Sequence, residues 1–339
     1  MSLTRKRRST GKVTLADVAQ LAGVGTMTVS RALRTPEQVS DKLREKIEAA
    51  VQELGYMPNL AASALASASS WTIGMVVPSL SEAGCSEMFA GLQQVLQPAG
   101  YQIMLAESRH HLEQEEKLLE TLMASNIAAA ILLSVEHSDT VRQWLSSGNL
   151  PVMEIGAVRS DPLDMNIGID NVAAMFELTQ MLIQRGYQNI GLLCANQEQW
   201  IFQQHLQGWY KAMLRYHLSP NRVINAAEPP TFSTGAAQLP EFLLAWPELD
   251  ALVCVSDELA CGALYECQRR RIKVPDDLAI VGFGDSDVSR VCQPPLTTIA
   301  VPHRQIGIEA GRALLARLND GNWRESAPIA AKLCQRDSC

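Results

Sequence analysis

The chain has no apolar run of about 18 residues, the length a membrane-crossing helix requires, so no membrane span is expected. Its basic opening, RKRRSTGK, is followed by neither an apolar stretch nor a cleavage site, so no export signal is expected. The eight cysteines form no CxxC pair and have no matching histidine spacing, which argues against a metal site. Most lie in apolar runs, as the buried thiols of a cytoplasmic protein do. There is no GxSxG, no GKS/T loop, no HExxH and no GxGxxG after a strand, which leaves little for an enzyme reading or a cofactor. Internal repeats are absent, and no terminal heptad pattern offers a tetramer zipper.

What is present is globular material with lopsided charge. The 339 residues are 47% hydrophobic and 19% charged, enough for two or three packed domains. The net charge of −7 conceals a polarity. Residues 1–70 hold ten Lys/Arg against six Asp/Glu, whereas the remainder holds nineteen against thirty. A basic head on an acidic body suggests a polyanionic partner for the head alone.

Residues 13–31, VTLADVAQLAGVGTMTVSR, predict two short helices around a tight turn. Thr14 suits the first N-cap, and Leu15, Val18, Ala19 and Leu21 form its expected apolar stripe. Gly23 is the expected stop, because a residue without Cβ takes positive φ freely. The second helix starts near Gly25-Thr26. Such a pair is the helix-turn-helix, whose second helix enters the major groove of B-DNA. Pro36 then breaks the chain, Ser40 is a suitable cap, and Leu43, Ile47, Ala50, Val51 and Leu54 predict a third helix stopped by Gly55. Residues 59–70, NLAASALASASS, read as a linker with high helix propensity but too short to nucleate alone.

From Trp71 onward the periodicity changes. TIGMVVP, YQIMLAE, AAAILLS and PVMEI alternate with helical segments at 84–98, 112–125, 138–147 and 171–185. NIGLLCA restarts the pattern, followed by RVIN, DALVCVS, LAIVGF and TTIAVP, with helices at 202–217, 234–245, 257–270 and 303–318. Strand–helix alternation implies two doubly wound parallel-sheet α/β lobes, with a ligand between them at the carboxyl ends of the strands. The expected domains are a three-helix helix-turn-helix head (1–58), a hinge linker (59–70) and a two-lobe body (71–339).

VTLADVAQLAGVGTMTVSRAL, VSDKLREKIEAAVQELGYMPN, SDELACGAL, VPDDLAIVGFGDSD, PPLTTIAVP and LCQRDS, in this order, resemble the LacI family of bacterial transcription regulators. PEQVS, ELGYMPN, PSLSE, NIGIDN and ALYECQR look most like its gluconate and sugar-acid repressors. The resemblance implies a periplasmic-binding-protein-like body, a homodimer on a palindromic DNA operator, and a small-molecule effector. It implies base reading by Thr26 and Met27, with Arg31 reaching a base or phosphate. Thr14, Thr28, Ser30, Ser40, Tyr56 and Asn59 carry groups suited to phosphates, which position the protein without reading sequence. For single Ser or Thr residues, capping is the competing role. Leu65 matches the leucine that such repressors insert in the minor groove. Leu60 stands where many relatives have Arg, and Gly25 where Ser or Thr is commoner.

The effector site departs from the neutral-sugar pattern. Gly284 and Gly156 stand where acids are frequent, Ser256 where Asn is usual and His205 where Arg is usual. Missing carboxylates suit a ligand that is itself an anion, such as an aldonic or ketoaldonic acid. The candidate contacts are Ser79, Ser81, Glu107, Asp170, Asn171, His205, Ser256, Asp257 and Asp285. Arg109 is a further possible anion partner. His205 is expected to offer a charge-assisted bond when protonated, and Asp257 is equally suited to capping the following helix. The leading expectation is a sugar-acid-controlled DNA-binding repressor. A regulator answering a neutral or phosphorylated sugar is the alternative, followed by a transport-class solute-binding protein.

Overall fold

A computed structural model describes residues 13–57, 70–81, 84–195, 200–321 and 327–339. The chain divides into two compact units, Met1–Ser69 and Ser70–Cys339.

In the first unit α1 spans Leu15–Ala22, α2 Thr26–Arg34 and α3 Asp41–Leu54, with a 3-10 turn at Pro36–Gln38. Thr14 and Asp17 form a reciprocal capping box, so two otherwise unpaired amides are satisfied at the start of α1. Gly23 ends that helix at φ +63°, left-handed backbone that a side chain disfavours. The core consists of Val18, Ala19, Ala22, Val29, Ala32, Ile47 and Ala50. Leu21 does not belong to it and is 44% exposed. The buried stripe of α1 runs through Ala22, which completes the 15-18-19-22 helical spacing. Ser40 occupies the N-cap position of α3, but its hydroxyl makes no capping bond.

The second unit holds two sheets. In lobe 1 the order is β2-β1-β3-β4-β5, all parallel, with β1 at Thr72–Val77, β2 at Gln102–Glu107, β3 at Ala129–Leu132, β4 at Val152–Ala157 and β5 at Met165–Ile169. The lobe 2 order is β11-β10-β9-β8-β6-β7. Its strands are β6 (Ile190–Ala195), β7 (Val223–Ala226), β8 (Ala251–Cys254), β9 (Ala279–Gly284), β10 (Thr297–Ala300) and β11 (Lys332–Cys334). The last strand runs antiparallel to β10, a departure from the all-parallel expectation.

Helices α4 (Cys85–Leu96), α5 (Leu112–Ala124) and α6 (Asp139–Ser147) follow the first three strands of lobe 1. Lobe 2 carries α7 (Asn171–Gln184), α8 (Trp200–Arg215), α9 (Phe232–Ala245), α10 (Asp257–Arg270) and the short α11 (Asp287–Val291). The next helix, α12 (His303–Asp320), returns to lobe 1 and packs on α4. The approach is backbone to backbone: a Cβ on Gly307 would lie 2.1 Å from the Met88 carbonyl oxygen, and one on Gly91 2.2 Å from that of Arg304. The chain therefore crosses between lobes after β5, after β10 and again before β11, where the Ile329 amide bonds to the Gly168 carbonyl.

Candidate nucleic-acid interface and ligand site

In the head, α2 buries Val29 and Ala32 and turns Thr26, Met27, Ser30 and Arg31 the other way. Those four positions are spaced i, i+1, i+4 and i+5, so they share one helix face. Met27 is 75% exposed, although nothing in the head requires an apolar side chain in water there. Arg31 is exposed and makes no ion pair among the described residues, in contrast to Arg44, which is tied to Asp41 at 2.8 Å. Gly25 caps α2 without a side-chain bond. The surface thus offers a hydroxyl, a methyl-bearing thioether and an unpaired guanidinium, groups that suit base edges, a thymine methyl and phosphates. Ser40 is exposed; Thr28, Ser30 and Tyr56 are half-buried. The Thr14 hydroxyl is engaged with Asp17 at 2.7 Å. Asn59 and Leu65 lie outside the described residues, as does nearly all of the 59–70 linker.

The predicted ligand residues fall into two groups in the second unit. At the ends of β1 and β2, Ser79 and Ser81 hydroxyls lie 2.8 Å apart and Glu107 Oε1 accepts the Leu80 amide at 3.0 Å. Arg109 pairs loosely with Glu107, at 3.8 Å. The other group lies where β5, β8 and β9 give way to the helices that follow. Asp170 caps α7 by accepting the Ala173 amide at 2.9 Å, and Ser256 caps α10 by accepting that of Leu259 at 3.3 Å. Asn171 Oδ1 stands 3.3 Å from His205 Nε2, and the His205 ring lies 4.4 Å, centroid to centroid, from Phe283.

Three of the sequence expectations need correction. His205 is buried, and burial pushes its pKa down to about 3, so it is neutral and supplies no charge to a ligand. Because an amide oxygen only accepts, Nε2 carries the proton and Nδ1 is left as a bare acceptor. Asp257 is not the cap of α10; Ser256 is. The Asp257 carboxylate instead accepts from Thr298 Oγ1 and from the Ser286 amide, both at 2.6 Å. Burial is the main cause that raises its pKa to about 6, and these hydrogen bonds oppose it. Asp285 is occupied by Arg336 and Arg290, the latter at 2.7 Å. Burial alone would raise its pKa, but those two cations hold it below the ordinary value.

Several buried polar atoms lack a hydrogen-bond partner among the described residues: Asn171 Nδ2, His205 Nδ1, Trp209 Nε1 and His303 Nδ1. Unsatisfied buried polar groups are costly, so those of Asn171 and His205, whose side chains meet at 3.3 Å, mark a place for a polar guest. Trp209 follows His205 by one helical turn on α8, and His303 opens α12. Neither was among the sequence candidates; the spacing HLQGW was the only signal for the first, and a lone histidine after VP gave none for the second. A cavity of about 400 Å³ opens beside the start of α7, between Arg159, Ser160 and Asn166 on one side and Gln204 and Lys211 on the other. Of the predicted residues, Asp170 lines it. No helix among the described residues is long and apolar enough to cross a membrane, and no His/Cys/Asp/Glu group among them has the makings of a metal site.

Comparison with known proteins agrees with this division. Residues 14–59 match the family described as bacterial regulatory proteins, lacI family, and residues 179–339 match the periplasmic binding protein-like domain. The HTH-type transcriptional regulator GntR of Escherichia coli K12 is 39% identical over 305 residues, covering 90% of this chain and 91% of the relative. A LacI-family transcriptional regulator from Silicibacter pomeroyi superposes with a TM-score of 0.89 at 28% identity, over 96% of this chain and 99% of that one. The Lac repressor dimer bound to operator and the anti-inducer ONPF gives 0.84 at 26% identity, over 96% and 99%. With a 39% identical relative along nine-tenths of its length and both characteristic domains matched, the chain belongs to the LacI family of bacterial transcription regulators.

Proposed function

We propose that the protein is a homodimeric repressor that binds a palindromic operator and releases or gains it in response to a sugar acid such as gluconate or 2-ketogluconate. The observation that carries the DNA half is the open face of α2, with Thr26, Met27, Ser30 and an unpaired Arg31 on one side and the core on the other. One such helix reads few base pairs, so a two-fold pair of heads is needed for a specific site. Apolar surface available for self-association supports the dimer: Met104 and Leu105 on the edge strand β2, and Phe232 with Tyr265 on α9 and α10. Eight cysteines, six of them buried, suit the cytoplasm, where DNA and a reducing environment coincide.

The effector half rests on the missing acids at Gly156 and Gly284, and on the kind of donors left. With His205 neutral, a ligand carboxylate would be received by Asn171 Nδ2, the Trp209 indole and hydroxyls. Lys211, on α8, lines the cavity and is a cation within the same wall as Gln204. His205 Nδ1 is then free to accept from a sugar hydroxyl. Control by this ligand is a coupled equilibrium: lobes that prefer one arrangement when filled bias the 59–70 hinge and hence the two heads.

The test is paired. Thermal unfolding is followed with gluconate, 2-ketogluconate, glucose and a phosphorylated sugar, and operator binding is measured with each compound added. A raised Tm and an altered operator affinity with a sugar acid alone are expected. A response to the neutral or phosphorylated sugar instead would overturn the sugar-acid reading and leave the DNA half standing.

A further inference from the structure

The lobes of the 70–339 unit also touch beside Arg159, which lines the cavity. The loop between β3 and α6 carries Glu136, whose Oε2 accepts the backbone N–H of Trp200 at 3.0 Å. Trp200 opens α8 in the other lobe, so this amide has no carbonyl within its own helix to bind. The helix dipole favours a carboxylate at that place as well. From lobe 1, Arg159 lays its guanidinium over the Trp200 ring, 5.9 Å from the centroid. Arg159 is held in turn by Asp161 at 2.8 Å and by the Val135 carbonyl. The backbone that presents Glu136 is tied on both sides. Ser134 Oγ bonds to both the Glu136 amide and its carbonyl at 3.2 Å, and the next residue, His137, sits between Glu115 and Glu154.

We propose that Glu136, together with Arg159, clasps the start of α8 and holds the two lobes together, Glu136 acting as a positioning residue for effector binding without touching the effector. The inference rests on the reading that the effector binds between the lobes. A ligand that binds the closed arrangement has its affinity scaled by the fraction of protein already closed. Loosening the clasp therefore weakens every effector by one common factor, whereas removing a ligand contact changes the preference among them.

Hydrogen exchange of the peptide containing Trp200, read by mass spectrometry on the full-length protein, tests the clasp without ligand. Exchange should be about three- to tenfold faster in Glu136→Ala, with protection partly restored in Glu136→Gln, whose amide oxygen still accepts. Calorimetric titration with gluconate and 2-ketogluconate should then show both affinities falling by the same factor, again about three- to tenfold. Unchanged exchange overturns the clasp, and faster exchange with unchanged affinities overturns its role in binding. Should neither acid bind the parent protein, the effector reading fails on its own account. The clasp then stands or falls on small-angle scattering, where Glu136→Ala must enlarge the radius of gyration and an identical radius refutes it.

Discussion

Replacing His137 with glutamine removes the cation from a buried acidic pair in lobe 1. The His137 and Glu154 side chains have no exposed surface and that of Glu115 has 5%. His137 Nδ1 lies 3.0 Å from Glu115 Oε1, and Nε2 lies 3.4 Å from Glu154 Oε1. Burial by itself favours the neutral ring, but the hydrogen bond to Glu115 and the negative charges of Glu115 and Glu154 outweigh it and raise the pKa to about 9. In the unfolded chain the same ring titrates near 6.5. The native state therefore holds this proton more tightly, and the difference is worth ~3 kcal/mol of stability. That contribution is complete below pH ~6.5 and disappears as the pH rises through ~9. Removing one partner of a buried ionic group costs about 3–5 kcal/mol, so the variant should lose about that much at pH 6. Urea denaturation of both proteins at intervals from pH 6 to 10, followed by far-UV circular dichroism, measures the difference. The gap should be widest near pH 6 and narrow by ~3 kcal/mol toward pH 10. A gap that stays constant with pH would show that His137 is neutral in the native state and refute the charged triad.

Arg31→Ala should weaken operator binding about tenfold or more while sugar-acid binding is unchanged, as read by mobility shift and calorimetry. Equal operator affinity would remove Arg31 from the interface. Gly307→Ala offers a test of sign. Helix propensity alone predicts a gain of about 1 kcal/mol, whereas a Cβ 2.1 Å from the Met88 carbonyl oxygen forces α4 and α12 apart. A net loss of about 1–3 kcal/mol in urea denaturation is expected, and a gain would contradict the packing of α12 on lobe 1. Arg336→Ala leaves Asp285 with the Ser289 hydroxyl at 3.2 Å and one cation, Arg290, whose side chain is 59% exposed. About 2–3 kcal/mol should be lost at pH 7. Since Asp285 has a depressed pKa, the loss should shrink as the pH falls below ~4. A loss independent of pH would point to packing rather than charge.

What the residues announce in advance is what neighbours along the chain decide. Thr14, Gly23 and Gly25 lie at the ends of α1 and α2 because capping involves residues within one turn of each other. Leu21 is exposed and Ala22 buried because the 3.6-residue period carries the stripe 15-18-19 on to 22. Strand β5 is not among the strands that the sequence predicts. Parallel neighbours are usually joined by a dozen or more residues, yet only 158–164 separate β4 from β5. Its centre, Asn166-Ile167-Gly168, is interrupted by a polar residue and a glycine. Burial of Asn166 is tolerated because its amide bonds to the Glu154 and Ala157 carbonyls and its oxygen accepts the Arg159 amide. The opposite direction of β11 is likewise a matter of pairing, which composition does not encode.

The same distinction governs the chemistry of the ligand site. That residue 205 is a histidine rather than an arginine is plain in the sequence; that it is uncharged depends on burial and on Phe283, far away along the chain. His137 is the converse. Nothing in SVEHSD marks it, because Glu115 and Glu154 lie on a helix and a strand that only the folded lobe brings to either side of the ring. Two histidines in one unit thus reach pKa values near 3 and near 9 from a single starting value. Burial pushes both toward the neutral form, so the difference lies in the carboxylates that face one and not the other. A charge assigned to a histidine before its neighbours are known therefore carries no sign, and a ligand inferred by subtraction has to be matched to donors that remain after folding. In the proposed site those would be the Asn171 amide, the Trp209 indole and hydroxyls, groups able to bind a carboxylate by hydrogen bonding without a buried counter-charge.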